Sequence, residues 1–265
     1  VGRLFALCSL LFCFRLLPAA TLNGHPANDC PPAQIDEQVR VSYVYDGDTV
    51  KLDDGRRVRF IGINAPETGH HDMPGQPLAE AARTSLQKML ETGANVLFLQ
   101  YGKEPEDHYG RLLAHAFLDN GEDVAVLLLR QGHATALVVP PNSGRADCYR
   151  QIEREARIAG RGLWRLANYQ TQDAGTLDPD TRGFRIVQGR VESMQWTRHQ
   201  LRIELQGGLV ARISSSDLGN FAAGYLESLA GRRVELRGWV KPGQGGPSIR
   251  VRHPAALSLA GESHE

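Results

Sequence analysis

Alternating apolar and polar positions in the first half of the chain predict a small antiparallel meander. Residues 39–45 alternate as in a half-buried strand, 48–52 continue as a second strand, and an Asp-Asp-Gly turn leads into a third at 57–63. Two more strand patterns follow at 95–101 and 111–118. The first half therefore contains five short predicted strands.

Three other segments repeat their apolar residues at helical spacing and lie at 76–91, 123–131 and 146–159. Five short strands with helices between them favour a small closed barrel of the oligonucleotide-binding (OB) type over a parallel sheet. We assign this first domain to residues 38–167.

A polar stretch at 168–182, rich in Thr, Gln, Asp and Gly, has the composition of a linker. Beyond it, three strands, a helix at 218–229 and two more strands predict a second small OB-like barrel over 183–260. The expected fold class is mainly β with helices (α+β), with two barrels in series and a disordered tail at 261–265.

The N-terminus has the layout of a secretory signal peptide. An apolar run follows Arg3 and ends at Pro18-Ala19-Ala20, where cleavage is expected. The run is shorter than the roughly 20 apolar residues of a membrane span. We predict a signal peptide at 1–20, a polar leader at 21–37 and an exported protein, periplasmic or secreted; an uncleaved membrane anchor is the alternative.

Cysteine usage agrees with export. Removal of residues 1–20 leaves only Cys30 and Cys148, an even pair suited to an oxidising compartment. We predict one disulfide between them, which would close a long loop and stabilise the fold by roughly 4 to 5 kcal/mol in the chain-entropy model. The alternative is two unrelated buried thiols.

The charges exclude a protein that coats nucleic acid through a strong overall positive charge, because 30 basic and 30 acidic residues cancel. Locally, however, Asp48, Arg59, Glu67 and Arg111 provide what cleavage of a phosphodiester needs. These are an acid to hold a divalent cation, a carboxylate to orient or deprotonate water, and fixed positive charge for the transition state. Oxygen ligands without a Cys or His cluster favour calcium or magnesium over zinc.

Five segments in fixed order make this interpretation specific: DGDTV, VRFIGINAPE, DHYGRLLA, LLLRQGHA and GRGLW. Together they resemble the thermonuclease family of calcium-dependent nucleases that cut DNA and RNA. The resemblance spans about 39–164 and implies a calcium site made by Asp48, Asn64 and the main-chain carbonyl of Ala65. It also implies that Glu67 activates water, that Arg59 and Arg111 bind the phosphate, and that the products carry 3′-phosphate ends.

The chain departs from the family pattern in two places. Asn64 stands where the family has an aspartate, so an anionic ligand becomes a neutral one and calcium affinity should fall. Val138-Val139-Pro140 replaces a segment that carries nucleotide-stacking tyrosines, so base preference cannot be transferred.

The second barrel combines Trp196, Trp239 and Arg237 with further arginines, which suits a surface that stacks bases and attracts phosphates. The alternative places both tryptophans in the barrel core and scatters the arginines over the surface. Fold alone does not decide between these interpretations.

The sequence thus predicts a metal-dependent, endonucleolytic nuclease that needs Ca²⁺ or another divalent cation such as Mg²⁺. Its substrate would be DNA or RNA, and we expect a monomer without an obligatory protein partner. The alternative is a non-catalytic nucleic-acid-binding or adaptor protein built on a nuclease scaffold, for which Asn64 and the missing tyrosines are the motivation.

Overall fold

The computed structural model describes residues 29–69, 74–243 and 245–261. The predicted signal peptide at 1–20, residues 21–28 of the predicted leader and residues 262–265 of the predicted tail lie outside this part of the chain. Within it, no helix is long and apolar enough to cross a membrane.

The described part of the first half contains seven strands and three α-helices. They are β1 (Glu37–Val44), β2 (Thr49–Leu52), β3 (Arg57–Phe60), β4 (Ile63–Asn64), α1 (Ala79–Thr92), β5 (Val96–Glu106), β6 (Leu112–Phe117), α2 (Val124–Gln131), β7 (Thr135–Ala136) and α3 (Ala146–Ile158). Five of the strands close a barrel in the order β1-β2-β3-β6-β5, and the short β4 and β7 pair with each other. The predicted barrel is confirmed.

Alternation along the barrel strands explains why they close around one core. In β2 and β3, Val50, Leu52, Val58 and Phe60 are buried, while the intervening Lys51 and Arg57 are exposed. Leu86 of α1 and Leu129 of α2 belong to the same buried cluster. The helices therefore cover the barrel through their apolar faces.

Helix α2 begins where the sequence places a capping residue. The Asp123 carboxylate accepts hydrogen bonds from the main-chain N–H groups of Ala125 (2.8 Å) and Val126 (3.3 Å). It also accepts one from the Tyr149 hydroxyl (2.8 Å), which ties α3 to the start of α2. Gly132 ends α2 in the left-handed conformation typical of a helix C-terminus.

The predicted disulfide is present and joins Cys30 to Cys148 with a Cα–Cα distance of 6.1 Å. It fixes the leader to the first turn of α3. Arg145, beside that turn, donates to the main-chain oxygens of Cys30 and of Pro31 (2.8 Å). The leader is therefore part of the folded first half from at least Cys30 onward.

Seven strands lie in the second half as far as the structure describes it: β8 (Thr171–Asp173), β9 (Gly183–Trp196), β10 (Gln200–Leu205), β11 (Val210–Ser214), β12 (Arg233–Lys241), β13 (Ser248–Arg250) and β14 (Leu257–Leu259). The pairings β9-β10-β11-β13-β12 return to β9 and close a second five-stranded ring. Strands β8 and β14 extend it at β9 and β12. The second predicted barrel is confirmed.

Two local predictions differ from the structure. The helix expected at 218–229 is instead a pair of 3-10 helices, Ser215–Asn220 and Glu227–Leu229, because Gly224 adopts a positive φ of 75° between them. The segment expected to be a free linker forms β8, and its Ala174 is fully buried in the second core. Packing against the barrel thus overrides its polar composition.

The two barrels meet along α3 and β12. A small cluster of Ala156, Trp164, Phe184 and Ile186 is buried between the two halves of the chain. Beside it, Arg237 of β12 makes a two-pronged ion pair with Glu153 of α3, and Glu153 also accepts a hydrogen bond from the main-chain N–H of Ala136 (2.7 Å). Apolar packing and one buried charge pair hold the barrels together.

Candidate active site

The Asp-Gly-Asp turn between β1 and β2 places Asp48 beneath the barrel surface. The Asp46 carboxylate accepts a hydrogen bond from the main-chain N–H of Asp48 (2.8 Å), which tightens the turn. A Cβ at Gly47 would lie 2.7 Å from the Cβ of Ala65 and 2.9 Å from that of Ala82. Only glycine allows this close approach, so the turn packs directly on the segment that carries Asn64 and Ala65.

Asp48 is a buried carboxylate with a full set of partners. One oxygen accepts from the main-chain N–H of Ala65 (2.6 Å) and lies 3.1 Å from Nη2 of Arg59; the other accepts from the Thr49 hydroxyl (3.0 Å). Burial raises the pKa of Asp48 to about 7, although the charge of Arg59 opposes this rise. Ionisation of this buried carboxylate therefore costs free energy that Arg59 offsets only in part, and a divalent cation would offset it further.

Arg59 and Asn64 meet at the same point. Nη2 of Arg59 lies 3.1 Å from the Asp48 carboxylate and donates to the side-chain oxygen of Asn64 (3.2 Å). Its Nη1 donates to the main-chain oxygens of Phe60 (2.6 Å) and Ile63 (2.9 Å). The predicted role of Arg59 on a phosphate would require at least Nη2 to turn away from Asp48.

Glu67 lies at the surface just beyond these residues. Its main-chain N–H donates to the side chain of Gln76 (3.2 Å), and its carbonyl accepts from the Gln76 N–H (2.9 Å), so two hydrogen bonds join Glu67 to Gln76. The pKa of Asp46 is raised by burial and, in addition, by the charge of Glu67. Glu67 is therefore close enough to the turn to interact electrostatically with Asp46, and its side chain is exposed to water.

Arg111 is oriented by the loop that precedes β6. The Asp107 carboxylate accepts from Nε (2.8 Å) and from the main-chain N–H of Arg111 (3.0 Å), and the Tyr109 ring lies 5.5 Å from the guanidinium. Burial would raise the pKa of Asp107, but the hydrogen bonds from Arg111 and Tyr109 outweigh it and lower the pKa. Asp107 thus positions Arg111.

Arg59 and Arg111 line one cleft of about 450 Å³ on the side of the first barrel. Other walls are formed by Ile63, Asp107 and Leu137 of the first half, and Arg252 reaches the cleft from the second half. The structure therefore brings together two arginines that are 52 positions apart in sequence. Glu67 is not among the lining residues of this cleft.

The oxygen donors suit a hard divalent cation. Oxygens of Asp48 and Asn64 converge on one positive group, the Nη2 of Arg59, and the Ala65 carbonyl accepts from the Asn64 amide (3.0 Å). Within the described ranges no three His, Cys, Asp or Glu side chains cluster as a metal site. The candidate ligands are therefore one carboxylate, one amide and one main-chain carbonyl, all oxygens of the kind calcium and magnesium prefer.

Arg237 does not fit its predicted role in nucleic-acid binding. Its side chain is about 10% exposed and is bound to Glu153. Burial alone lowers the pKa of Arg237, but the charge and hydrogen bonds of Glu153 outweigh it and raise the pKa. This arginine is a structural group of the contact between the barrels.

The two predicted tryptophans occupy different environments. Trp239 is half-buried, packs edge-on against Phe184 with ring centres 5.4 Å apart, and lines a groove between the barrels. Trp196 is 50% exposed near the turn between β9 and β10. Neither belongs to the main core of the second barrel.

Comparison with known proteins identifies the first half. The family described as "Staphylococcal nuclease homologue" matches residues 57–166. The chain is 39% identical to a thermonuclease of Staphylococcus intermedius over 131 residues, which are 48% of this chain and 76% of that protein. The chain belongs to the thermonuclease family. The family match ends before β8, at the start of the second half.

Other members of the family are more distant or longer. Endonuclease YncB of Bacillus subtilis is 33% identical over 138 residues, which cover 50% of this chain and 64% of that protein. A probable endonuclease LCL3 of Schizophyllum commune is 34% identical over 119 residues, 40% of this chain and 39% of that protein. This chain therefore shares with several members of the family only part of their length.

Sequence reasoning missed Arg252 as a residue of the cleft. Its position in the chain, near the end of the second barrel, gives no sign that it reaches β3 and β6 of the first. The only signal was its membership in the arginine-rich set of the second half. Docking of the two barrels, which depends on Arg237 and Glu153, decides this contact.

Proposed function

We propose that this protein is a divalent-cation-dependent nuclease that hydrolyses phosphodiester bonds of DNA or RNA, with Ca²⁺ as the expected cation. One observation carries the proposal: oxygens of Asp48 and Asn64 converge on a single positive group beside a cleft lined by Arg59 and Arg111. Family membership supports the nuclease class. The cation, the kind of nucleic acid and the endonucleolytic mode belong to the proposal.

In this proposal the cleft binds one phosphate of the substrate. Asp48, Asn64 and the Ala65 carbonyl would hold the cation, which neutralises charge on the phosphate when bound. Glu67 is exposed to solvent, so its carboxylate can orient a water molecule and accept its proton as the water oxygen attacks phosphorus. The 5′ oxygen then leaves, and the resulting end carries a 3′-phosphate.

Arg111 supplies the preorganised positive charge of the site. Because Asp107 and the Tyr109 ring already fix its guanidinium, little reorganisation is needed when negative charge grows on the phosphate. Arg59 has to exchange the Asp48 carboxylate for the phosphate, which becomes favourable once another cation neutralises Asp48. Cation binding and release of Arg59 are thus expected to be coupled.

The test uses the chain without residues 1–20, plasmid and single-stranded substrates, and calcium, magnesium or chelator. We expect cleavage that requires a divalent cation. Arg111→Ala and Glu67→Gln should each lower kcat by about 10² to 10³, as loss of one transition-state contact does. Lys88→Ala on the exposed face of α1 is the control and should cut at the normal rate.

A non-catalytic binding protein is the second candidate, favoured by the neutral Asn64 at the cation site. It would bind oligonucleotides but leave them intact with every cation tested. The same experiment separates the two functions. Absence of cleavage with calcium, magnesium and manganese would refute the nuclease proposal.

We also propose that the protein acts outside the cytoplasm. The Cys30–Cys148 disulfide supports this location, because such bonds persist in oxidising compartments. Fractionation of cells that produce the full chain tests it: the proposal expects processed protein in the periplasm or medium. Recovery of the chain only in the cytoplasm, with free thiols, would contradict it.

A further inference from the structure

A row of arginines crosses the outer face of the second barrel. Arg202 of β10 is paired with Arg212 of β11, and Arg212 is in turn paired with Arg250 of β13. Their strand neighbours Ile203, Ala211 and Ile249 are buried, so the three arginines face outward. Like charges directly opposite one another destabilise a sheet. An arrangement of this kind is more stable when an anion lies across it.

The chain itself provides little compensating charge. Asp217 lies 3.2 Å from Nη2 of Arg250 and 3.4 Å from Nε of Arg252, so one carboxylate is shared by two arginines. Among the residues that the structure describes, no carboxylate lies within ion-pair distance of Arg212 or of Lys241. The face therefore keeps an excess of positive charge on a protein whose total formal charge is zero.

This face forms one wall of a groove of about 450 Å³ between the barrels. Leu137 and Val139 form the opposite wall. The lining includes six basic side chains and no carboxylate: Arg150, Arg212, Arg237, Lys241, Arg250 and Arg252. Glu153 neutralises Arg237, which leaves the others facing the groove or its edges. The walls thus favour a polyanion over a neutral ligand.

The groove adjoins the candidate active site. Leu137, Val139 and Arg252 line both the groove and the cleft that contains Arg59 and Arg111. The shared residues come from both barrels. A polymer with one phosphate in the cleft would therefore enter the groove with its neighbouring units.

The barrels hold this groove in a preformed shape. The Arg237–Glu153 pair, a hydrogen bond from Arg150 to the carbonyl of Ala255, and the packing of Phe184 near Trp164 all cross between the halves of the chain. A ligand that enters a preformed groove does not have to order the protein first. Trp239 adds an aromatic wall next to the basic side chains.

We propose that this groove binds a single-stranded segment of the substrate that continues from the scissile phosphate. Arg212, Lys241 and Arg252 contact its phosphates, and Trp239 stacks one of its bases. A single strand fits better than a duplex because only unpaired bases are free to stack on Trp239 while the backbone follows the basic wall. The inference rests on the proposed nuclease function for the direction of the strand, since the cleft is its starting point.

Binding in chelator tests the groove without any cleavage. The probe is a labelled single-stranded oligothymidylate of about 12 nucleotides, within the site size of OB folds. Each lost phosphate contact should reduce the slope of log K against log salt concentration by about 0.7. At 0.1 M salt this change weakens the affinity about fivefold. Arg212→Ala/Lys241→Ala should therefore raise Kd about 25-fold and reduce the slope of log K against log salt by about 1.4.

The matched control removes two charges outside the groove, Lys88→Ala on α1 and Arg233→Ala at the start of β12. It should bind the probe with unchanged Kd. An equal loss of affinity in both double variants, or no loss in the groove variant, would overturn the proposal. So would a duplex of the same length that binds more tightly and loses as much affinity in the groove variant.

Cleavage separates this inference from the nuclease proposal. With cation present, the groove variant should show a KM raised about 25-fold on long single strands, in line with its binding loss. A dinucleotide-sized phosphodiester, too short to leave the cleft, should be cut normally. If the groove variant cut both substrates equally poorly, the groove would not be a separate binding site and the proposal would be overturned. Failure of every variant and the wild type to cut would refute the nuclease function, whereas the chelator experiment would still decide the groove.

Discussion

Removal of Arg237 should destabilise the protein because Glu153 would remain buried without its partner. The side chains of this pair are about 10% and 4% exposed. In the wild type the Glu153 carboxylate accepts from both Nη atoms of Arg237 and from the N–H of Ala136. After Arg237→Ala the carboxylate would keep the hydrogen bond from Ala136 and the more distant charge of Arg150, but it would lose its direct ion-pair partner.

Breaking a buried ion pair by removal of one partner costs about 3 to 5 kcal/mol. For a chain of this size that corresponds to a fall in Tm of about 6 to 20 °C. Glu153→Ala should cost a similar amount, because it leaves the guanidinium unpaired. Arg237→Leu/Glu153→Leu should be more stable than either single variant, since it removes both charges together.

Urea unfolding followed by tryptophan fluorescence measures these differences, because Trp164 and Trp239 lie at or near the contact between the barrels. Arg233→Ala is the control: its ion pair with Asp173 is about half exposed on both sides, so its loss should leave the stability nearly unchanged. The reasoning would be refuted if Arg237→Ala unfolded like the wild type and instead bound oligonucleotide less tightly. That result would restore the role that the sequence had suggested for Arg237.

Three further predictions concern the cation site and the disulfide. Asn64→Asp should strengthen calcium binding in calorimetry, since a second carboxylate would face the cation; weaker binding would contradict the assignment of Asn64 as a ligand. The Asp48 pKa of about 7 lies above its ordinary value of 3.8, so the proton competes with the cation below pH 7. Calcium affinity should therefore fall about tenfold for each pH unit below 7. Without cation, the wild type should lose stability relative to Asp48→Asn as the pH rises from about 4 to 7, because the folded state then has to release the proton of Asp48. Calcium affinity and stability that do not change with pH would refute the raised pKa. Cys30→Ser/Cys148→Ser should lower the free energy of unfolding by about 4 to 5 kcal/mol for a loop of this length, and equal stability with and without reductant would contradict it.

The structure alone explains why Asn64 is compatible with the turn beside it. Its side-chain amide makes two hydrogen bonds: the oxygen accepts from Arg59, and the nitrogen donates to the Ala65 carbonyl. An aspartate could not donate that second hydrogen bond. The asparagine, which we expect to weaken cation binding, therefore also provides a local contact that the carboxylate would lack.

Local sequence pattern was sufficient to predict the first barrel and to select its candidate site residues. The alternation of β2 and β3, the Asp-Gly-Asp turn and the capping Asp123 all act through neighbours a few residues away, so the sequence records them directly. The resemblance of the ordered segments to the family added Asn64 and the Ala65 carbonyl as expected cation ligands. The even pair of cysteines was enough to predict the disulfide.

The helix predicted at 218–229 and the linker predicted at 168–182 differ from the structure for two reasons. The first is interrupted at Gly224, which adopts a positive φ between two short 3-10 helices. The second is drawn into the sheet by pairing with β9, a partner that lies outside the segment itself. The burial and the contacts of the arginines in the second half also depend on tertiary structure. Arg237 and Arg252 look alike in the sequence, yet one is buried on Glu153 and the other reaches the cleft.

The sequence by itself determined two barrels, the chemistry of the turn and the identity of the charged groups, because periodicity and local hydrogen bonds are encoded within a few residues. Only the tertiary structure decided how the barrels dock and which basic side chains share a groove. The reason is physical: burial and charge compensation at the contact depend on pairs such as Arg237 and Glu153, which are 84 positions apart and meet only in the folded chain.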